Sequence, residues 1–190
     1  MNVLMICASP NPDGSTASIL KDMRRQISEK GDRVEWLDLA QMQIAGCRGC
    51  RSCQKDGHCA IHDDMAKVID GMVRADVVVL GSPVYMGAET GQTKCLIDRL
   101  YCLFQGLPDG TGKGRLPPGK RAITLLTCAL SDGDRIYAYE NTKFFKVFVN
   151  MLGFDFVLSS IVPGCRDPSL VMQNRFATGA ISDAMAFLYP

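Results

Sequence analysis

Apolar and polar positions follow two rhythms along this chain, one of period two or continuous, the other helical. Val3 to Cys7 is a short apolar run, and turn residues fill Ala8 to Ser15. From Ser15 or Thr16, the positions Ile19, Met23 and Ile27 recur at helical spacing until Gly31 stops them. Val34 to Leu39 alternates as a second strand. Asp63-Asp64 caps a helix carried by Met65, Val68, Ile69 and Met72. Asp76 to Gly81 is then a continuous β-branched run of the kind buried on both faces of a sheet. A loop from Ser82 to Gly91 leads into a helix from about Thr93 to Phe104, and the Gly/Pro-rich stretch Gly106 to Gly119 reads as mobile. Arg121 to Thr127 is the fourth strand, Tyr137 to Leu152 a helix, Phe154 to Val162 the fifth strand, and a last helix starts near Ala177.

Regular alternation of strand and helix predicts an α/β fold, a five-stranded parallel sheet covered on both faces. Right-handed crossovers then leave the doubly wound arrangement, in strand order 2-1-3-4-5. Length agrees: 190 residues hold one well-buried core and are too few for two ordinary domains, so 1–190 reads as one unit. Its one foreign feature is a cysteine-rich insert at 44–60, after the second strand.

Hydrophobic residues make up 47% and charged residues 22%, and the net charge is +1. That balance gives no attraction to nucleic acid or anionic lipid, both of which demand a basic excess. No apolar run is long enough to cross a bilayer, and the N-terminus lacks the basic region of a signal peptide. The expected location is the cytoplasm. Nine cysteines is an odd number, and cytosolic thiols stay reduced, so a disulfide framework is not expected.

Ligands of a doubly wound sheet bind beyond the carboxyl ends of the strands, where the winding reverses. Here that point lies between strands one and three, so the loops Ser9 to Thr16 and Ser82 to Gly91 should face one ligand. The first offers the hydroxyls of Ser9, Ser15 and Thr16, the Asn11 amide and the free N–H groups of a helix N-terminus, a phosphate site needing no lysine. It is neither a Walker loop nor a dinucleotide fingerprint. Asp13 should point outward, and Ser15 or Thr16 has the alternative of merely capping the helix. In the second loop Ser82, Pro83, Val84, Tyr85, Met86 and Gly87 offer a stiff turn, close backbone approach and polarizable surface for an aromatic ring system.

Ser9-Pro10-Asn11 with Gly14-Ser15-Thr16, Gly81-Ser82-Pro83-Val84-Tyr85 and Leu96-Ile97-Asp98-Arg99 together resemble the NADPH-dependent FMN reductase family, of flavodoxin-like fold. The resemblance implies that the first loop holds the phosphate of FMN, that Ser82 to Gly87 holds the isoalloxazine, and that Thr127, Cys128 and Ala129 complete the site. Asn11 departs from an arginine common in the family, and Met86 from an aromatic.

The segment Cys47 to Cys59 spaces its cysteines C-x2-C-x2-C-x5-C. Gly49 and Gly57 permit tight turns, and Arg48, Arg51, Lys55 and His58 stand by to compensate thiolate charge. A [4Fe–4S] cluster, a structural zinc and a redox disulfide compete as readings. His58 and His62 read as surface residues. The motif also resembles that of the iron–sulfur flavoproteins, a branch of the same family, which implies that Cys47, Cys50, Cys53 and Cys59 carry a [4Fe–4S] cluster.

Flavin and cluster together imply an oxidoreductase or electron-transfer flavoprotein, exchanging electrons with a ferredoxin-like carrier or with NAD(P)H. No nucleophile–His–carboxylate set stands out, so no catalytic side chain is named. Two other readings stay open: an NAD(P)H-dependent FMN or quinone reductase whose cysteine loop is structural or zinc-binding, and a redox- or metal-sensing interaction module. Resemblance further implies a homodimer or homotetramer, in which the cysteine loop of one subunit reaches the flavin of another.

Overall fold

The β-branched run at Asp76–Gly81 forms the central strand of the sheet. In this computed structural model residues 1–138 and 147–190 are described, the side chains of 149 and 150 apart. The elements are β1 (Asn2–Cys7), α1 (Ser15–Glu29), β2 (Arg33–Asp38), α2 (Cys53–Asp56), α3 (Met65–Arg74), β3 (Val77–Tyr85), β4 (Ala88–Glu89), α4 (Gly91–Arg99), β5 (Phe104–Gly106), β6 (Gly112–Gly114), β7 (Arg121–Thr127), α5 (Gly133–Ile136), β8 (Phe156–Val162) and α6 (Arg175–Leu188).

The main sheet runs β2-β1-β3-β7-β8, every neighbouring pair on this path parallel, which is the predicted 2-1-3-4-5 order. Period two divides each buried strand between two cores. On β1, Val3, Met5 and Cys7 join Ile19, Leu20, Met23, Ile27, Ile181 and Leu188 of α1 and α6. Leu4 and Ile6 face the other way, against Met65, Val68 and Met72 of α3 and Leu96 of α4. Each such side chain contributes about 1.5–3 kcal/mol by leaving water.

Three sequence expectations change. The helix expected to reach Phe104 ends at Arg99, and Leu100–Leu103 continues as a 3-10 turn. Its tighter winding puts side chains three apart on one side, so Leu100 and Leu103 both enter the core. The glycine- and proline-rich stretch, read from sequence without secondary structure, shares an antiparallel hairpin, β5 with β6, pairing Phe104 with Gly114 and Gly106 with Gly112. Gly114 suits it because a Cβ there would lie 2.2 Å from the Leu152 carbonyl oxygen. Of the helix expected over Tyr137–Leu152, residues 139–146 lie outside the described residues; Val147–Met151 is a π-helical turn.

Candidate functional site

Loops at the carboxyl ends of β1, β3, β7 and β8 converge on a cleft of about 320 Å3. Of the residues expected at a ligand, Ser9, Asn11, Ser15, Thr16, Pro83, Val84, Tyr85, Thr127, Cys128 and Ala129 line it. The α1 N-cap is Gly14, with no side-chain capping bond and no acidic residue in the first turn. The first recorded bond back into this helix end runs from Ser18 N–H to Gly14, so Ser15, Thr16 and Ala17 present the N–H groups that precede it. The hydroxyls do other work. Ser15 Oγ donates to the Cys165 carbonyl at 3.2 Å, and Thr16 Oγ1 pairs with Thr127 Oγ1 at 2.6 Å, tying α1 to the ends of β7 and β8. Ser9 Oγ, buried, bonds both the N–H and the carbonyl of Asn11 and shapes the loop. Asp13 is exposed, 3.4 Å from Lys21.

Gly14 of the first loop also lines the cleft, joined by three residues that escaped the sequence reading: Cys165, Arg166 and Pro168. The last three follow β8, so the rule that selected the other loops applies to them too. Cys128 and Cys165 meet there, Cys165 N–H donating to the Cys128 carbonyl at 2.8 Å. Burial raises both thiols above their ordinary pKa, Cys165 to about 12 with Cys128 adding to it.

Three of the expected residues do not face the cleft. Ser82 lies beneath it: its Oγ donates to the Pro83 carbonyl and accepts from Thr90 N–H at 3.2 Å and Thr93 Oγ1 at 2.9 Å. Thr90 Oγ1 in turn donates to the Ala8 carbonyl. This buried hydroxyl network fixes the β3 loop to the end of β1 and to the start of α4. Met86 and Gly87 form the tip of the β3–β4 hairpin, where Val84 pairs with Glu89 and Tyr85 with Ala88. A two-residue hairpin of type I′ needs positive φ at both central positions, and here they stand at 49° and 86°. Met86 therefore projects fully into solvent, away from the cleft lining.

At the far end of α4 the four motif cysteines, Cys47, Cys50, Cys53 and Cys59, line a second pocket of about 270 Å3 with Arg48, Arg51, Asp98, Arg99 and Tyr101. The insert turns at Gly49 and at Gly57, the latter closing α2 with φ of 84°. Gln54 fastens it to the β5–β6 hairpin, donating to the carbonyls of Tyr101 and Phe104 and accepting from Gly106 N–H. Hydrogen bonds from Ser52, side chain first, hold the Cys50 thiol below its ordinary pKa. Burial pushes the Cys53 thiol up, with the neighbouring Cys59 and Cys50 adding to it. Among the described residues no three His, Cys, Asp or Glu side chains stand close enough to share one metal ion. Four cysteine side chains around one pocket are the donor chemistry that an iron–sulfur cluster or a structural zinc takes.

Charge compensation differs from expectation in one respect. Arg48 and Arg51 line the pocket but Lys55 and His58 do not; His58 is exposed beside Asp56. The cation that sequence reading overlooked is Arg99, at the end of α4, its side chain wholly buried. It donates to Asp63 at 2.5 Å and to the carbonyls of Ala45 and Ile61. Burial alone would lower its pKa, but the hydrogen bond to Asp63, then Cys59, holds it above the ordinary value. The pattern explains the miss: a charged residue late in an amphipathic helix reads as solvated, whereas this one is buried.

Residues 1–151 match the model of a family described as NADPH-dependent FMN reductase. An iron-sulfur flavoprotein of Methanocaldococcus jannaschii is 38% identical over 99 residues, 52% of this chain and 51% of that protein. One from Archaeoglobus fulgidus is also 38% identical over 99 residues, 52% of this chain and 48% of that protein. The chain thus spans about half the length of the curated relatives it matches. Among solved structures, an FMN-dependent NADH-azoreductase from Bacillus anthracis in complex with FMN superposes with a TM-score of 0.73 at 18% identity, over 100% of this chain and 99% of that one. An NAD(P)H:quinone oxidoreductase from Methanothermobacter marburgensis gives 0.74 at 16% identity, over 100% and 98%. At such identities the likeness establishes the flavodoxin-like fold.

Proposed function

The chain belongs to the NADPH-dependent FMN reductase family, and on that basis we propose an oxidoreductase that exchanges electrons between FMN in the carboxyl-end cleft, a [4Fe–4S] cluster on the insert, and an external redox partner. One observation carries this reading: all four motif cysteines line a single pocket at one end of α4, and the loop bordering the cleft precedes the other end. Nine helical residues separate those ends by about 13 Å. A flavin exchanges electrons singly or in pairs and a cluster one at a time, which is the chemistry the two groups supply when bound.

In this reading the free N–H groups at the start of α1, with Ser9, Asn11, Ser15 and Thr16, hold the phosphate. Arg166 supplies the cation that Asn11 does not. Pro83, Val84 and Tyr85 on one side, and Thr127, Cys128 and Ala129 on the other, border the ring; Ser82 and Gly87 support the loop. Cys47, Cys50, Cys53 and Cys59, which line one pocket, are the cluster ligands, and the relatives named iron-sulfur flavoproteins support a cluster here. NAD(P)H or a ferredoxin-like carrier is the partner, and a homodimer or homotetramer in the cytoplasm the working form. Residues 1–190 act as one unit, with 44–60 as its cluster-binding insert.

A second reading, a plain NAD(P)H-dependent reductase, draws on the fastening of the insert by Gln54, Asp63 and Arg99 through protein hydrogen bonds. Iron, zinc, sulfide and FMN per chain, measured on protein purified without oxygen, decide between them. About four iron and one FMN, with iron lost in Cys50→Ala or Cys53→Ala, support the two-centre carrier. FMN without iron returns the chain to the plain reductases, and zinc makes the loop a structural clip. Anaerobic reduction by NADPH, compared with reduced ferredoxin, identifies the partner.

A further inference from the structure

Among the described residues, two buried side-chain nitrogen or oxygen atoms lack a hydrogen-bond partner, and both are arginine Nε atoms flanking the insert: Arg99 and Arg115. Arg115 lies behind it, donating to the Gln54 carbonyl and packing against Gly57. Arg99 lines the cysteine pocket itself. Both of its terminal nitrogens are bonded, one to two acceptors and the other to one. One reaches Asp63 and the Ala45 carbonyl, just before the first motif cysteine; the other reaches the Ile61 carbonyl, just after the last. A buried donor without an acceptor costs about 1–3 kcal/mol, more when charged, and such a group in a pocket wall points to a missing acceptor.

We propose that Arg99 is the positioning residue of the cysteine pocket: it clamps both ends of the insert through its terminal nitrogens and directs its Nε–H at a sulfur of the cluster. The inference rests on the cluster reading above. The planar guanidinium is suited to it, because only a rigid fork can span a carboxylate and two carbonyls and still offer a third edge. Four thiolates bring a concentration of negative charge, and a buried cation offsets it. Hydrogen bonds to the sulfurs are among the factors that set a cluster's potential, and a donor favours the more negative, reduced form. Outer-shell partners of this kind are commonly worth 10–100-fold in metal affinity.

The test compares wild type with Arg99→Gln and Arg99→Lys, purified without oxygen, reading iron and sulfide per chain, the cluster's midpoint potential and FMN content. Arg99→Lys keeps a cation against Asp63 and carries the test if Arg99→Gln fails to fold. Its single ammonium cannot serve Asp63, both carbonyls and the pocket at once. Expected are unchanged FMN, cluster retention weakened roughly 10–100-fold against a competing chelator, and a lower midpoint potential in the fraction that stays loaded. Weaker retention at an unchanged potential keeps the clamp and overturns the donor role. Wild-type retention and potential in both variants overturn the proposal. Wild-type protein without iron or sulfide refutes the cluster reading first, and the role of Arg99 falls with it.

Discussion

Replacing Asp63 with alanine removes the counter-charge of the Arg99 side chain, and the cost follows from burial. The guanidinium is 0% exposed and the carboxylate 12%. The same carboxylate accepts the N–H groups of Ala45 at 2.9 Å and Met65 at 3.1 Å, joining the entry of the insert to the start of α3. Asp63→Ala leaves a buried cation bonded only to two carbonyls, a class of change that costs about 3–5 kcal/mol. With a urea m-value of roughly 2 kcal/mol/M, the unfolding midpoint should fall by about 1.5–2.5 M at unchanged slope. Asp63→Asn keeps an acceptor oxygen and should fall between the two. Acidification supplies a second check. Burial alone would raise the Asp63 pKa, but the hydrogen bonds from Arg99, Ala45 and Met65 and the Arg99 charge together outweigh it, and the carboxyl titrates below its ordinary range. Its contribution is therefore complete above the unfolded value near 3.9 and is lost as pH falls through the folded one, so the gap between wild type and variant should close at acid pH. A loss below about 1 kcal/mol at pH 7, the scale of an exposed pair, would refute the reasoning.

Ser15→Asp sets a carboxylate at the proposed phosphate cradle; like charges 4 Å apart at an effective dielectric of 20 repel by about 4 kcal/mol, so FMN affinity in a fluorescence titration should fall a hundredfold or more. Thr16→Val strands the buried Thr127 hydroxyl at a cost of about 1–3 kcal/mol, and adding Thr127→Val should recover much of it in a denaturation cycle. Met86→Asn relieves a side chain held at positive φ and should stabilise the hairpin by about 0.5–1 kcal/mol, read as a raised melting temperature with FMN affinity unchanged.

Features that a local pattern determines could be read directly from the chain. Val77–Val79 are buried on both faces because a β-branched run has no polar face to offer solvent, and that one strand, placed centrally, fixes much of the topology. The cleft-lining loops were legible for a similar reason, since strand order dictates which loops meet. What stayed hidden depends on contacts distant in sequence. Arg99 is buried only because Ala45, Ile61 and Asp63 arrive from elsewhere. The β5–β6 hairpin has three-residue strands and glycines at Gly106, Gly112 and Gly114, which read as loop. Met86-Gly87 lacks the Asn-Gly signal of a tight hairpin, so the turn tip at Met86 was not visible in the sequence.

The position of the cysteine insert has a consequence for how such a chain can change. β2 is an edge strand, and the connection leaving it runs from residue 39 to 64 before α3 begins. Removing 44–60 would shorten that connection about threefold, and loop-closure entropy charges only about 1 kcal/mol for the longer version. No ladder hydrogen bond of the sheet passes through the segment. The ladder of the parallel sheet thus does not depend on the insert, whose ties run instead from Ala45 and Gln54 to the end of α4 and the β5–β6 hairpin, so any loop exchanged at this edge must still answer the buried Arg99.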